Sequence, residues 1–158
     1  MLWVAGNSGV VPSTLVTAAC ECARQSLRFL PPKESRPEAV IAVAEKWTEG
    51  VATVDDCRNA ANSIGAIQTE IGERLQSDIL PPIAGVNTAA AMLAAAAAEM
   101  PANAAAFSAD QKWCAKFSSQ AATRAAAAAR HAIDDEGWWT MQKTCANLVR
   151  KTLPEHTA

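Results

Sequence analysis

Tyrosine is absent from this 158-residue chain, glycine occurs only seven times, and three phenylalanines and five tryptophans are its only aromatics. β-Branched residues never alternate with polar ones over a strand's length, so no sheet is expected and the fold class is all-α. No run of Lys or Arg occurs, and a net charge of −2 gives no general attraction to phosphate backbones. Nucleic acid is therefore not an expected partner. The chain also lacks G-x-S-x-G, a phosphate-binding loop, a dinucleotide fingerprint and H-E-x-x-H. With two histidines, His131 and His156, it cannot supply the second Glu-x-x-His of a dinuclear carboxylate site. No catalytic residue, cofactor or metal is assigned. The opening MLWVAGNSGVVPS carries no basic n-region, and Gly, Asn and Ser interrupt it before a long apolar run develops, so it does not read as a secretory signal.

What the chain does have is alanine. Half of its residues are hydrophobic, but much of that half is alanine, which favours helices and close helix approach while adding little burial energy per residue. At this length one domain suffices. The expected organisation is a loose arm over 1–12, a helical domain over 13–153 and a short tail over 154–158.

The most complete helix signal is Ser35 to Gly50, SRPEAVIAVAEKWTEG. Ser35 and Glu38 have the spacing of a capping box, and Pro37 falls in the first turn, where a missing N–H costs nothing. Val40, Val43, Ala44 and Trp47 share a face, and Gly50 stands where a left-handed residue would end the helix. Before it, Pro12 and Ser13 open a first helix with the stripe Val16, Cys20, Ala23, Leu27 and Leu30, which Pro31 and Pro32 close. After it, Thr53 and Asp56 repeat the cap spacing and open a third helix with the face Cys57, Ala60, Ile64, Ile67, Ile71 and Leu75. Gly65 and Gly72 weaken that helix, by about 1 kcal/mol each relative to alanine, unless another helix packs closely there; that contact is expected.

Pro81 and Pro82 mark the next boundary. From Ile83 to Met100 runs IAGVNTAAAMLAAAAAEM, too short and too interrupted by Asn87, Thr88 and Glu99 to span a membrane. It reads instead as the central buried helix of a bundle of about six, closed by Pro101 and Asn103. A fifth helix, starting near Ser108, carries Trp113, Phe117, Ala121, Ala125, Ala128 and Ala132 along one face as far as Ile133. The acidic Asp134 to Glu136 cap a sixth, whose stripe is Trp138, Met141, Cys145 and Leu148. Lys143, Arg150 and Lys151 lie toward its C-terminus, which suits the helix dipole.

The stretches AACECAR, SRPEAVIAVAEKW, EGVAT and DDCRNAA, between Ala18 and Ala61, resemble the N-terminal half of alanine-rich helical immunity proteins of bacterial polymorphic toxin systems. The resemblance covers the N-terminal third and implies a cytoplasmic protein that binds and neutralises a toxin. It brings no catalytic residues. Two other classes remain open beside it: a self-associating helical protein, with a second copy as its partner, and an enzyme with an unrecognised site.

Few side chains stand out as chemistry. Cys20 and Cys22 point about 200° apart on a helix and cannot share a metal. The five cysteines are odd in number and fall mostly on apolar faces, which implies packing thiols in a reducing setting. His131 and Asp135 are one turn apart and so are Arg130 and Asp134, the spacing of ordinary surface pairs. Arg36 is a cation in a first turn, where the dipole disfavours it; either a carboxylate such as Glu21 or Asp56 holds it, or a partner does. Trp139 is turned about 100° from Trp138, onto the side of Gln142, Lys143, Ala146 and Arg150. It is expected to be partly exposed and, with Arg36, to be a candidate partner contact.

Overall fold

The computed structural model describes residues 10–76 and 87–153. Among them are six α-helices: α1 Pro12–Arg24, α2 Arg36–Thr48, α3 Val54–Gln76, α4 Thr88–Ala106, α5 Gln111–Ala132 and α6 Asp135–Thr152, with a 3-10 turn at Leu27–Phe29. They form an all-α, single-domain bundle. No helix among the described residues is long and apolar enough to cross a membrane. The Pro81–Pro82 boundary, most of the N-terminal arm, the tail and the Leu75 side chain lie outside the described residues.

Three of the expected helix-end signals form as the sequence requires. Gly50 has φ +75°, and the Val51 N–H donates to the Lys46 carbonyl at 2.8 Å while the Gly50 N–H donates to that of Trp47 at 3.0 Å, a Schellman motif. At the start of α3, the Thr53 N–H donates to Asp56 Oδ2 (2.8 Å) and the Asp56 N–H donates to Thr53 Oγ1 (3.1 Å). Each satisfies an amide that the helix cannot. Asp134 caps α6 through the Gly137 N–H at 2.9 Å.

The box expected at Ser35 does not form. Ser35 sits at φ −105°, ψ −7°, a helical rather than extended conformation, and its hydroxyl caps nothing. Glu34 takes the role by accepting from the Arg36 N–H at 3.2 Å, while Glu38 turns to Arg24. The cap of α5 is likewise Asp110, which accepts from Lys112 and Trp113, and not Ser108.

Helix α4 is the core, as its alanine content implies, and it continues through Pro101 to Ala106 where termination at Met100 was expected. A proline inside a helix costs about 3 kcal/mol. Beyond it Ala102, Ala104, Ala105 and Ala106 are all buried, and at roughly 0.8 kcal/mol per buried methyl their burial is of the same size. Around α4 lie α1, α2, α3 and α5. The sixth helix is the exception to the expected ring of five, since α6 docks on α5 and α1. Isoleucines 64, 67 and 71 of α3 pack with Val40 of α2 and with Ala91, Ala95 and Ala102 of α4 in a smaller cluster.

Three ion-pair struts join neighbouring helices. Arg24 at the end of α1 grips Glu45 of α2 through Nε and Nη2, both at 2.8 Å, and reaches Glu38 at 3.0 Å. Arg36 joins α2 to Glu70 of α3. Arg124 of α5 donates to the Ala96 carbonyl of α4 at 3.1 Å, beside Glu99.

Of the two glycines expected to admit a neighbour, Gly72 does. A Cβ there would lie 3.7 Å from the Met92 sulfur of α4, whereas at Gly65 nothing lies within 4 Å. Gly65 is on the solvent side of α3. Gly65→Ala is therefore expected to raise stability by about 0.5 to 1 kcal/mol in denaturant titration. Gly137→Ala should lower it, because a Cβ there would sit 2.9 Å from the Ala129 carbonyl oxygen, and that backbone cannot yield as a flexible side chain would.

All five cysteines are free and buried. Burial pushes the Cys57 thiol from an ordinary 9.0 up to about 11, and also raises Cys114 to about 11 against a smaller opposing effect of Ser118. A thiol whose folded pKa exceeds its unfolded one stabilises the fold below the unfolded value and loses that contribution as pH rises through the folded one. Stability should therefore fall between pH 9 and about 11, and Cys57→Ala should flatten that slope in thermal melts across the range.

Candidate interaction surface

The outer side of α6 is an open helical face that carries a large aromatic ring. Its inner line is Gly137, Met141, Cys145 and Val149, all buried against α5 and α1. Trp138 and Leu148 flank that line half-buried. Trp139 points away and is 62% exposed, and Ile133, in the α5–α6 connection, is 60% exposed. Glu136 and Lys143 stand one turn before and after Trp139 on the helix, so charged positions flank it in sequence. Its exposure follows from helix geometry: with Met141 and Cys145 fixed inward, the residue 100° on from Trp138 has no core to enter.

A second aromatic group stands at the other end of α5. Phe107, Trp113 and Phe117 form a triad with centroids 5.4 to 6.4 Å apart, and Lys116 Nζ lies 4.2 Å from the Trp113 ring. Phe107 is 46% exposed and Trp113 43%. The expected face of α5 is thus rotated in its first half: Cys114, Ser118, Ala121 and Ala125 enter the core and the two aromatics lie at the rim. Both stripes have helical spacing, and ring size favours the wrong one. The reason is the gap they must fill, because α4 and α1 approach closely on alanine and leave no room for indole.

The two candidate contacts are not brought together in one way. Arg36 is engaged inside the chain: its Nε and Nη2 bind Glu34 at 2.8 and 2.6 Å, and Nη1 bonds Glu70. Its carboxylates are therefore neither Glu21 nor Asp56. These pairs also account for a cation at a helix N-terminus, since two carboxylates outweigh the dipole there. Trp139, by contrast, presents its ring to solvent. The acidic corner differs from the expected pairing as well. Arg130 Nε binds Asp135 Oδ1 at 2.7 Å, and the His131 carbonyl accepts from Asn87 Nδ2 at 2.8 Å. Among the described residues no group of three His, Cys, Asp or Glu side chains converges to hold a metal.

Between α5 and α6 lies an open cleft of about 260 Å³. Ser119, Thr123 and Gln142 are its polar lining, and Ala122, Ala146 and the buried Cys145 and Val149 its apolar lining. The Cys22 thiol of α1 comes from behind to within 3.8 Å of the Cys145 carbonyl oxygen. Neither the cleft nor this meeting was legible in the sequence, because Cys22 and Cys145 are 123 residues apart.

No protein-family model, no curated protein and no solved structure matches the chain.

The two neighbouring tryptophans should separate stability from contact. Trp138→Ala should cost about 2 kcal/mol in denaturant titration, less than the roughly 3 to 5 kcal/mol of a fully buried ring, because Trp138 is half-buried. Trp139→Ala should leave the midpoint within about 0.5 kcal/mol.

Proposed function

We propose that this chain is a non-catalytic protein-binding domain, and that it acts as a cytoplasmic immunity protein that neutralises a toxin by direct contact. The observation that carries the binding reading is Trp139, 62% exposed on a face of α6 that no other helix covers. A large rigid ring is the side chain that most often anchors a protein interface. The toxin reading rests on the resemblance of the Ala18 to Ala61 stretch. Arg36, held by Glu34 and Glu70, serves that reading as a strut of the surface more than as a free anchor.

A self-associating protein is the second reading, favoured by the aromatic triad. The exposed Trp113 and Ile133 stand at opposite ends of α5, about 30 Å apart at 1.5 Å per residue, and two unlike patches on opposite ends can join copies head to tail.

The test is co-expression with the product of the adjacent reading frame. Rescue of growth through a complex that survives purification is expected, and Trp139→Ala should weaken that complex tenfold or more with an unchanged melting temperature. Rescue without binding would point to an enzymatic role. Equal affinity of Trp139→Ala would move the interface off α6, and a mass that rises with protein concentration in the absence of any partner would favour self-association.

A further inference from the structure

The outer stripe of α6 is patterned symmetrically about its own middle. Asp135, Trp139, Ala146 and Arg150 fall within about 60° of one another around the helix. Asp135, Trp139 and Arg150 are exposed, and Ala146 is half-buried. A point between Gln142 and Lys143 is about 5 Å along the axis from both Trp139 and Ala146, and about 11 Å from both Asp135 and Arg150, at 1.5 Å per residue. Large therefore stands opposite small about that point, and acid opposite base. The helix ends repeat the pattern, with Asp135 and Glu136 in the first turn and Arg150 and Lys151 in the last.

Such a stripe is complementary to a copy of itself run in the opposite direction, which is the requirement of an isologous contact. We propose that α6 is the contact of a homodimer, in which two copies of the helix pair antiparallel about a twofold axis beside Gln142 and Lys143. Each Trp139 ring then lies over Ala146 of the second copy, and each Asp135 faces Arg150. Ala146 also lines the α5–α6 cleft of about 260 Å³, which gives the incoming ring a place to enter. Ser119, Thr123 and Gln142 line it too, and their oxygens are acceptors for an indole N–H.

The charges on the face favour the same partner. Antiparallel pairing sets the positive end of each helix dipole beside the negative end of the other. Asp135 Oδ1 accepts from Arg130 Nε of its own copy at 2.7 Å, and Arg150 Nη1 donates to Asn147 at 2.8 Å. A carboxylate accepts at both oxygens and a guanidinium donates through several N–H groups, so each can also serve the cross-copy pair. Exposed pairs of this kind set register more than affinity, and the rings supply the energy. Lys143, beside the axis, meets its own counterpart and is the like-charge contact of the pattern. Two rings at about 150 to 250 Å² each, with the rest of one helix face, fall at the low end of specific interfaces, near or below about 1,200 Å² in total. The dimer is therefore weak and reversible. This mode rests on the self-association reading and closes it at two copies, where a head-to-tail contact would continue. A toxin held by Trp139 would compete with the second copy for the ring.

Sedimentation velocity of the full chain across a wide concentration series, joined to amine cross-linking of the wild type, tests the twofold mode. Expected are a monomer–dimer equilibrium that stops at two and a cross-link from Lys143 to Lys143 of the second copy, a link of a residue to itself that a head-to-tail contact does not make. Trp139→Ala should weaken dimerisation tenfold or more, and Lys143→Ala should tighten it. Arg150→Asp should weaken it, and Asp135→Arg added to the same chain should restore it. Assembly beyond two copies would overturn the twofold mode while leaving self-association standing. So would a dimer without the Lys143 self-link, or one that Trp139→Ala leaves unchanged. A monomer at every concentration would overturn both. The wild-type measurements decide the matter without any variant having to fold.

Discussion

Contact of alanine with alanine, above all between α4 and α5, is the constraint on which the rest depends. Alanine methyls let two helices approach closely, and the energy of such a seam is the sum of many small burials and dispersion contacts. Thirteen residues of α4 are buried, eleven of them alanines together with Met100 and Pro101. A core so uniform in side-chain size specifies little about register by shape. The specifying features are placed around it: the isoleucine face of α3, the capped helix starts, and the struts Arg24–Glu45, Arg36–Glu70 and Arg124–Glu99.

The same constraint sends the large rings outward. Where α1, α4 and α5 meet on methyl groups, no indole fits, so Trp113 and Phe117 occupy the rim of α5, with Phe107 beside them. Helix α6, outside that centre, keeps only a narrow buried line and leaves Trp139 in solvent. Exposed aromatic surface in this bundle is a consequence of how its core is packed, and that surface is what a binding partner would use. The cleft has the same origin, because Ala122 and Ala146 are too small to close the α5–α6 seam.

Cysteine fits this architecture as a residue close to alanine in size. Cys20, Cys57 and Cys114 sit fully buried at positions that alanine could nearly fill. Cys22 differs in that its thiol comes within 3.8 Å of the Cys145 carbonyl oxygen, a contact that belongs to the packing of α6 on α1.

Local signals by themselves determined the six helices among the described residues, the break at Gly50, the caps at Thr53 and Asp134, and the outward side of Trp139. Each depends on residues within one or two turns, where backbone geometry decides the outcome. Tertiary structure decided the rest. Pro101 stays inside α4 because the burial of Ala102, Ala104, Ala105 and Ala106 beyond it offsets its lost hydrogen bond, and Glu34 displaces Ser35 as a cap because Glu38 is drawn to Arg24 on another helix. Arg36 is held by Glu34 beside it and by Glu70 from α3, and the core face of α5 is chosen by what lies opposite. Cys22 meets Cys145 across most of the chain. In most of these a residue's role is set by a neighbour distant in sequence, and periodicity carries no information about which helix that neighbour will come from.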